Sequence, residues 1–504
     1  MSGNKYYFVF SPHVRSQYHL GLMLEVVKAI IDSNENAKII WLGCSGQLLA
    51  CETNLNHKKH LCCACKSALN NGIRWLDNER VRVVDFNHIK VRSNDTWSGK
   101  EFCSIEDLKS YKYRSVDVGM AAASSLITEL RDPEPNMLKV RKKVEKHLQS
   151  AIYLTDLSYN IFEGYKVDGV LLFNGRTATT RPLLRVANKY NIDVSVIEMA
   201  PMKGKYTITK NSYPHDLSYI KGCINKLWSD TEASFQDKKH IAGLWFKKKL
   251  AGIDMGWYSF IKGQRKRYIP KEVCDDFVNV AIYISSEDEV AAIDGWENQI
   301  YENQLDALRR IFYDCKDMSK LMFFVRVHPN LSGVINSQII GLKRLNNDYQ
   351  NVFIVDPNSE VDSYELARRS EVAIVFGSTI GVEIAYMGIP VILIGRSPYE
   401  DLGVSINPKS HSEVIDMLNK ISKGERLCSP GCYEEGALKY GYYQMEYGLD
   451  LKYAVQKDVS KLVMLKDGKE IKVRPSLFWL VINYFFEGVS YFQRPLTGWL
   501  RKVY

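Results

Sequence analysis

The sequence predicts an α/β protein built from two doubly wound domains, and three observations point to this class. Short apolar runs alternate with helical patterns from residue 5 onward. The alternation breaks over 203–270 and then resumes. Polar residues follow many of the apolar runs, as they do where parallel strands end at a ligand crevice. The length of 504 residues suits two domains with an appendage.

The first half of the chain carries the pattern of a parallel sheet covered on both faces. Its strand candidates are 5–10, 37–43, 81–86, 167–176 and 193–200, separated by helical patterns. We therefore predict an N-terminal Rossmann-like domain over 1–265, with a cysteine-rich insertion at 44–65.

The second half repeats this organisation. Its strand candidates are 279–289, 321–330, 351–356, 371–378 and 390–395. We predict a C-terminal Rossmann-like domain over 270–440 that faces the first domain across a cleft. Residues 441–504 are predicted as a helical segment that packs back on the first domain or on a membrane surface.

The charge and hydropathy of the chain limit its partners. A net charge of +9 fits an anionic ligand or an acidic membrane surface, whereas a nucleic-acid binder concentrates its charge in one module. The opening MSGNKYYFVF runs straight into a strand pattern, and the longest apolar run, 477–486, is shorter than the roughly 18 residues that span a bilayer. We expect a cytoplasmic protein, at most peripheral on the inner membrane.

The stretch 371–395, EVAIVFGSTIGVEIAYMGIPVILIG, reads as strand, turn, helix and strand. Gly377 lets a ligand approach the backbone, and Ser378 and Thr379 offer hydroxyls and amides where the helix starts. Such a turn suits a phosphate. Glu383 follows one turn later, where a carboxylate can accept from a ribose diol. An ordinary capped helix explains the same residues equally well.

The stretch RVHPN places a second polar pair at a strand end. Arg326 and His328 are two residues apart, so they share one face of the strand, and Pro329 ends it. We expect both side chains near the glycine turn, in the ligand site. A solvated arginine beside a structural histidine is the alternative.

The stretch SSEDE follows the first strand of the second domain. Ser285, Ser286 and Glu287 are predicted to face the ligand with their hydroxyls and carboxylate. The alternative is a solvated acidic turn in which a serine caps a helix. The magnesium-binding Asp-x-Asp pattern is not clearly present, so we expect no requirement for magnesium.

Five cysteines fall within 22 positions of the first domain. Cys62 and Cys65 have the C-x2-C spacing of metal ligands, and Cys44 and Cys51 complete a set of four thiolates. This set favours structural zinc over an iron–sulfur cluster. Idle buried thiols are the alternative.

Two regions combine aromatic and basic residues, 238–268 and 474–502. This composition suits a membrane interface, and it suits a buried interdomain helix equally well. Both interpretations stay open at this stage.

The stretch FFVRVHPN (323–330), followed by VFGSTIGVEIAYMGIPVILIG (375–395), resembles the nucleotide-binding half of bacterial GT-B glycosyltransferases that build capsules and O-antigens. Bacterial sialyltransferases and Kdo transferases have a similar His-Pro element and Ser/Thr element, which hold the donor's nucleotide phosphate. The resemblance implies this role for His328-Pro329 and Ser378-Thr379. The E-x7-E pattern of many retaining members is only partly present.

The resemblance implies a glycosyltransferase that moves a sugar from a CMP-linked acidic sugar or a UDP-sugar to a surface polysaccharide or lipid-linked acceptor. We expect inversion at the anomeric carbon, with a general base from the first domain. His13, at the end of the first strand, is the preferred base, with His19 and Glu198 as alternatives, and His328 is expected to assist catalysis. There are two rival interpretations. One is an enzyme similar to UDP-N-acetylglucosamine 2-epimerases, because residues 395–400 resemble the loop that follows the corresponding strand in those enzymes. The other is a non-catalytic scaffold subunit of a polysaccharide assembly complex.

Overall fold

The computed structural model describes residues 3–89, 91, 99–345, 348–427 and 433–487. The chain divides into two compact units. Unit 1 comprises Met1–Asp216 together with Gly448–Tyr504, and unit 2 comprises Leu217–Tyr447. Within the described residues, no helix is long and apolar enough to cross a membrane.

The elements alternate along most of the chain. Those of unit 1 before Asp216 are β1 (Lys5–Phe10), α1 (Gln17–Ser33), β2 (Ala37–Gly43), α2 (Lys59–Leu76), β3 (Val81–Asp85), α3 (Ile105–Ser110), α4 (Val118–Leu130), α5 (Met137–Gly164), β4 (Gly169–Phe173), α6 (Arg181–Lys189), β5 (Val194–Met199) and β6 (Lys205–Lys210). Those of unit 2 are α7 (Leu217–Asp230), α8 (Phe235–Leu250), β7 (Val278–Tyr283), α9 (Gln304–Asp314), β8 (Leu321–Arg326), α10 (Ser337–Leu345), β9 (Val352–Val355), α11 (Ser363–Arg368), β10 (Val372–Val375), α12 (Ile380–Tyr386), β11 (Val391–Leu393), α13 (His411–Ser422) and α14 (Glu434–Glu446). Those of unit 1 after Tyr447 are β12 (Leu449–Asp450), β13 (Ala454–Asp458), β14 (Lys461–Lys466), β15 (Lys469–Ile471) and α15 (Leu477–Glu487).

Unit 1 is built on a seven-stranded sheet in the order β12-β6-β5-β4-β1-β2-β3. The strands from β5 to β3 are parallel, and β6 and β12 add an antiparallel edge. All five residues of β4 are buried, as expected for a central strand with helices on both faces.

Unit 2 is built on a five-stranded parallel sheet in the order β11-β10-β7-β8-β9. All four residues of β10 are buried. Each unit is therefore doubly wound, since its first strand is central and later strands are added on both sides. This confirms the predicted α/β fold class.

The unit boundary lies earlier than the predicted position at 265. Helices α7 and α8 pack on α14, inside unit 2. Ala242 and Leu438 are fully buried in a shared cluster, and the ring of Phe246 stacks on Tyr386 with the centroids 3.7 Å apart. Trp245 and Phe246 of α8 are therefore buried in the core of unit 2, so the helix is buried as in the second interpretation of 238–268 but lies inside one unit.

The C-terminal segment differs from the predicted helical segment over 441–504. Helix α14 ends at Glu446 inside unit 2, and β13, β14 and β15 then form an antiparallel sheet, of which β13 and β14 pack on α1. The turn between β14 and β15 is Asp467-Gly468, and both residues have positive φ, 50° and 72°. An Asp-Gly pair between apolar alternations is a strong hairpin signal, so the sequence carried this information.

Candidate functional site

The carboxyl ends of β7, β8 and β10 meet at one edge of the unit 2 sheet. The chain leaves β7 toward β8 on one side and returns to β10 on the other, which makes this a topological switch point. Open α/β sheets bind ligands in the crevice at such a point. A concavity of about 560 Å³ lies here, lined by residues from the three strand ends together with Lys249, Ser259, Phe260 and Gln264.

The turn after β10 joins a strand to a helix, as the sequence predicted. Gly377 has a φ of +116°, and an added Cβ would lie 2.2 Å from the carbonyl oxygen of Arg396, so a side chain does not fit there. The Ser378 carbonyl accepts a hydrogen bond from the Tyr399 hydroxyl at 2.6 Å. Thr379 is exposed, and its hydroxyl does not cap the helix. Both hydroxyl residues line the crevice, and α12 is only seven residues long, so side chains matter more here than a helix dipole.

His328 lines the same crevice. Its Nδ1 accepts the backbone N–H of Asn330 at 3.1 Å. An accepting nitrogen carries no proton, so the neutral ring holds its proton on Nε2. The ring packs edge-on against Phe260, with the centroids 4.8 Å apart. The tautomer and orientation of His328 are thus set by its neighbours, and Nε2 is a hydrogen-bond donor.

Arg326 is buried, and its guanidinium binds the loop after β9. Nη1 donates to the carbonyl of Asp356 at 2.5 Å, and Nη2 donates to that of Ser359 at 3.2 Å. Burial lowers the pKa of Arg326 to about 10, so it remains charged at neutral pH. Nη1 and Nη2 therefore hold the 356–359 loop. The phosphate contact predicted for Arg326 would have to be made by N–H groups other than those used in these two hydrogen bonds.

Glu383 is buried rather than open to a ligand. Its carboxylate accepts from the Tyr364 hydroxyl at 2.5 Å and pairs with Lys249 at 3.1 Å. Burial raises the pKa of Tyr364, and the nearby Glu383 carboxylate raises it further, so the Tyr364 hydroxyl stays protonated. The carboxylate is engaged within the protein, so the ribose contact predicted for it would have to replace these partners.

The SSEDE turn is tied to α9. The Gln304 side-chain amide donates to the Ser285 hydroxyl at 2.9 Å, and the Gln304 backbone N–H donates to the Glu287 carboxylate at 2.7 Å. Ser286 is buried. The contacts of Ser285 and Glu287 are therefore made inside the protein, and the turn is neither solvated nor capped by a serine, since Ser286 makes no side-chain cap hydrogen bond.

Of the three predicted bases of unit 1, His13 and Glu198 lie at strand ends and His19 lies in α1, and all three are buried. His13 packs against His19 and Phe173, with ring centroids 5.0 Å and 5.1 Å away. Burial lowers the pKa of His13 to about 3, which makes it a weak base at neutral pH. Glu198 accepts from the Asn174 amide at 2.9 Å and from the Met199 N–H at 3.0 Å.

The four predicted metal ligands come together without forming a metal centre. Cys44, Cys51, Cys62 and Cys65 line one concavity of about 680 Å³ at the carboxyl ends of β1 and β2. Burial raises the pKa of Cys44 to about 11 and that of Cys51 to about 12, so these thiols are protonated. Among the described residues, no group of three or more His, Cys, Asp or Glu is arranged to hold a metal ion. As placed, the thiols do not fit a closed zinc site.

Sequence reasoning missed several residues that line the crevice in unit 2. Lys249 ends a run of three lysines near the end of α8, where cations are expected for helix stability alone. The Gln264 side chain accepts the backbone N–H of Ser363 at 2.9 Å and lies in an irregular segment. Nothing in their local pattern separated them from ordinary surface residues.

Comparisons with known proteins give weak likenesses only. No family model matches the chain, and no curated protein matches it. Among solved structures, KpsC of Thermosulfurimonas dismutans, described as a beta Kdo 2,4 transferase, is 13% identical with a TM-score of 0.34, over 63% of this chain and 87% of that one. A putative UDP-N-acetylglucosamine 2-epimerase from Listeria monocytogenes is 11% identical with a TM-score of 0.28, over 87% and 94%. A UDP co-structure of S. aureus MnaA is 12% identical with a TM-score of 0.27, over 98% of each chain.

At these identities and TM-scores the likenesses carry no argument about this chain. Its class follows from its own sheets: an α/β protein with two doubly wound units. Unit 2 has a polar crevice at the switch point of its sheet.

Proposed function

We propose that the chain is a glycosyltransferase that uses a nucleotide-sugar donor, either a CMP-linked acidic sugar or a UDP-sugar. The observation that carries the proposal is the crevice of unit 2, where Lys249, His328, Ser378 and Thr379 line one concavity. An ammonium group, an N–H donor and two hydroxyls at the carboxyl ends of parallel strands suit the anionic linker of such a donor.

The proposed reaction moves the sugar to a surface-polysaccharide or lipid-linked acceptor with inversion. The acceptor hydroxyl attacks the anomeric carbon while the bond to the nucleotide phosphate breaks. Negative charge collects on the leaving phosphate, and donors that are already in place stabilise it without reorganising. Nε2 of His328 is proposed for this role, together with Lys249, whose ammonium group also pairs with Glu383. The base that takes the acceptor's proton stays a prediction from the sequence, among His13, His19 and Glu198, and burial makes His13 a weaker choice at neutral pH.

Nucleotide binding tests the proposed donor site. Calorimetry with CMP, UDP, GDP and CDP should identify one nucleotide that binds the wild type. The Ser378→Ala/Thr379→Ala variant should bind it about a hundredfold more weakly, because two hydrogen bonds to a charged phosphate, each worth about 1.5 kcal/mol or more, are lost. Ser412→Ala, which removes an exposed hydroxyl elsewhere in unit 2, is the control. Unchanged affinity in the double variant would remove the phosphate assignment.

Product analysis separates transfer from its rivals. Epimerisation needs only the sugar nucleotide, whereas transfer needs an acceptor as well. Conversion of UDP-N-acetylglucosamine without an acceptor would assign the epimerase reaction instead. A wild-type protein that binds none of the four nucleotides would favour a scaffold role.

Two further predictions concern metals. Elemental analysis of the purified protein checks the predicted structural zinc, which would require the four thiols of the Cys44 concavity to draw together and lose their protons. Transfer is proposed to proceed without magnesium, and activity in excess chelator checks this.

A further inference from the structure

Helix α15 has its polarity reversed relative to a helix that packs in water. Leu477, Val481 and Phe485 lie on one face and are 73%, 55% and 85% exposed. Asn483, by contrast, is fully buried. A surface helix in water normally turns its amides outward and its large apolar side chains inward.

The exposed apolar surface of α15 extends beyond this face. Phe478, Tyr484 and Phe486 are exposed as well, by 63%, 43% and 66%. Six large apolar side chains within eleven residues make a contiguous patch, and patches of this kind mark surfaces that contact another phase or molecule.

The contacts of α15 with α2 fix its position in unit 1. The backbone N–H of Ser476 donates to the Ser67 hydroxyl at 2.9 Å, and the ring of Phe486 stacks on His60 with the centroids 5.2 Å apart. The two helices therefore run antiparallel over the first half of α2. The patch belongs to a docked helix and not to a loose tail.

The surroundings of the patch are cationic. Residues 53–76, which include α2, contain Lys58, Lys59, Lys66 and Arg74 and no aspartate or glutamate. Lys66 pairs with Asp85 at 2.9 Å. Just before α15, Lys472 and Arg474 are exposed. In sequence alone, the residues after Glu487 include three Lys or Arg and no aspartate or glutamate.

We propose that α15 lies in the interface of an anionic lipid bilayer, with its apolar side chains among the lipid tails and the neighbouring Lys and Arg side chains on the lipid phosphates. Aromatic side chains beside cations are the composition of interfacial helices. Eleven residues extend about 17 Å as a helix, too short to span a bilayer. A second copy of the chain fits less well, because two like-charged rims would face each other.

Vesicle sedimentation of the full-length protein tests the proposal. We expect binding to vesicles of phosphatidylcholine with 30% phosphatidylglycerol, weaker binding at high salt, and little binding to phosphatidylcholine alone. Val481→Asp/Phe485→Asp should lower the partition onto anionic vesicles at least about tenfold, because two inserted apolar side chains are replaced by charges. Leu138→Asp, at an 82% exposed position of α5, is the matched control and should bind as the wild type does.

Lys472→Glu/Arg474→Glu should also lower the partition about tenfold, and matching melting temperatures would show that each variant is folded. Three results would overturn the proposal. One is wild-type protein that stays in the supernatant with anionic vesicles. Another is binding that Val481→Asp/Phe485→Asp leaves unchanged. The third is a dimer, seen by light scattering, that this variant dissociates, since the patch would then bind a second copy. None of these readouts depends on the proposed transferase activity.

Discussion

At the scale of single residues, the two ring nitrogens of His328 have separate roles. Nδ1 accepts the backbone N–H of Asn330, which fixes the orientation of the ring. Nε2 carries the N–H that we propose as the hydrogen-bond donor to the phosphate of the nucleotide sugar. Asn and Gln side chains can each replace one of these nitrogens, because an amide oxygen can stand in for Nδ1 and an amide N–H can stand in for Nε2–H.

We predict that His328→Gln keeps most of the nucleotide affinity and that His328→Asn loses about tenfold or more of it. Asn retains the bond to the backbone but not the distal donor, and a hydrogen bond to a charged group contributes about 1.5–3 kcal/mol. Calorimetry on both variants checks this. His240→Asn, at an exposed position of unit 2, is the control. Equal affinity in the Gln and Asn variants would refute the assignment of Nε2.

His13 predicts a pH dependence of stability. Its folded pKa of about 3 lies below the unfolded value of about 6.5, so the unfolded chain takes up the proton first as the pH falls. The stabilisation is complete above pH 6.5 and is lost as the pH falls toward 3. At pH 5 this one residue should cost about 2 kcal/mol.

Urea denaturation at pH 7 and pH 5 measures this loss. The difference between the two pH values should shrink by about 2 kcal/mol in His13→Gln, because the group that titrates is gone. His88→Gln, at an exposed position of unit 1, should leave the difference unchanged. A His13→Gln variant with the wild-type pH dependence would contradict the burial argument.

Some of the candidate site could be predicted from local residues and some could not. Gly377, Ser378, Thr379 and His328 were predicted at the site because their strand–turn context is contained within a few positions. The inward orientation of Glu383 was not predicted, since it depends on Tyr364 and Lys249, which are distant in sequence. Polar residues at strand ends indicate an edge of the sheet, but not which of them keep their partners inside the protein.

At the scale of elements, the parallel strands were predictable and the C-terminal strands were missed. Unbroken apolar runs such as 372–375 indicate a buried parallel strand directly. The strands after residue 450 are three to six residues long and half-exposed, so no sustained apolar run marks them in the sequence. The Asp467-Gly468 pair was the local signal for a hairpin between two of these strands, and the sequence prediction overlooked it.

Gly468→Ala should destabilise the protein by about 1–2 kcal/mol, because an L residue pays this cost for positive φ. A shift in the denaturation midpoint measures the effect. Gly164→Ala is the control: it ends α5, has no positive φ and has open space around a new Cβ, so it should be neutral or slightly stabilising. Equal midpoints for Gly468→Ala and the wild type would mean that the hairpin turn differs from the one described.

At the scale of the whole molecule, the sequence predicted two units but not their limits. The break in alternation over 203–270 led to a predicted boundary at its end, at 265–270, whereas the observed limit at Asp216 is set by α7 and α8, which pack on α14. Pairing of helices that lie about 200 residues apart in the chain leaves no local trace, so it was not predictable.

We predict that the fragment 217–447 folds alone and binds the same nucleotide with an affinity within about threefold of that of the full chain. Unit 2 is continuous, has its own apolar core, and contains all the residues proposed for the donor linker. Circular dichroism and calorimetry on the purified fragment check this. An aggregated or unfolded fragment would show that unit 2 is not an independent folding unit.

The division of unit 1 into two pieces has a consequence for biosynthesis. Residues 1–216 are synthesised first, and β13 and β14, which pack on α1, follow only after about 230 further residues. At elongation rates of about 5–20 residues per second this interval is about 10–50 seconds. During that time the surface of α1 around Gly21 is uncovered, because Leu462, whose side chain packs on Gly21 in the finished protein, has not yet been synthesised. We therefore expect this half-built intermediate, and not the completed protein, to be the form that chaperones recognise.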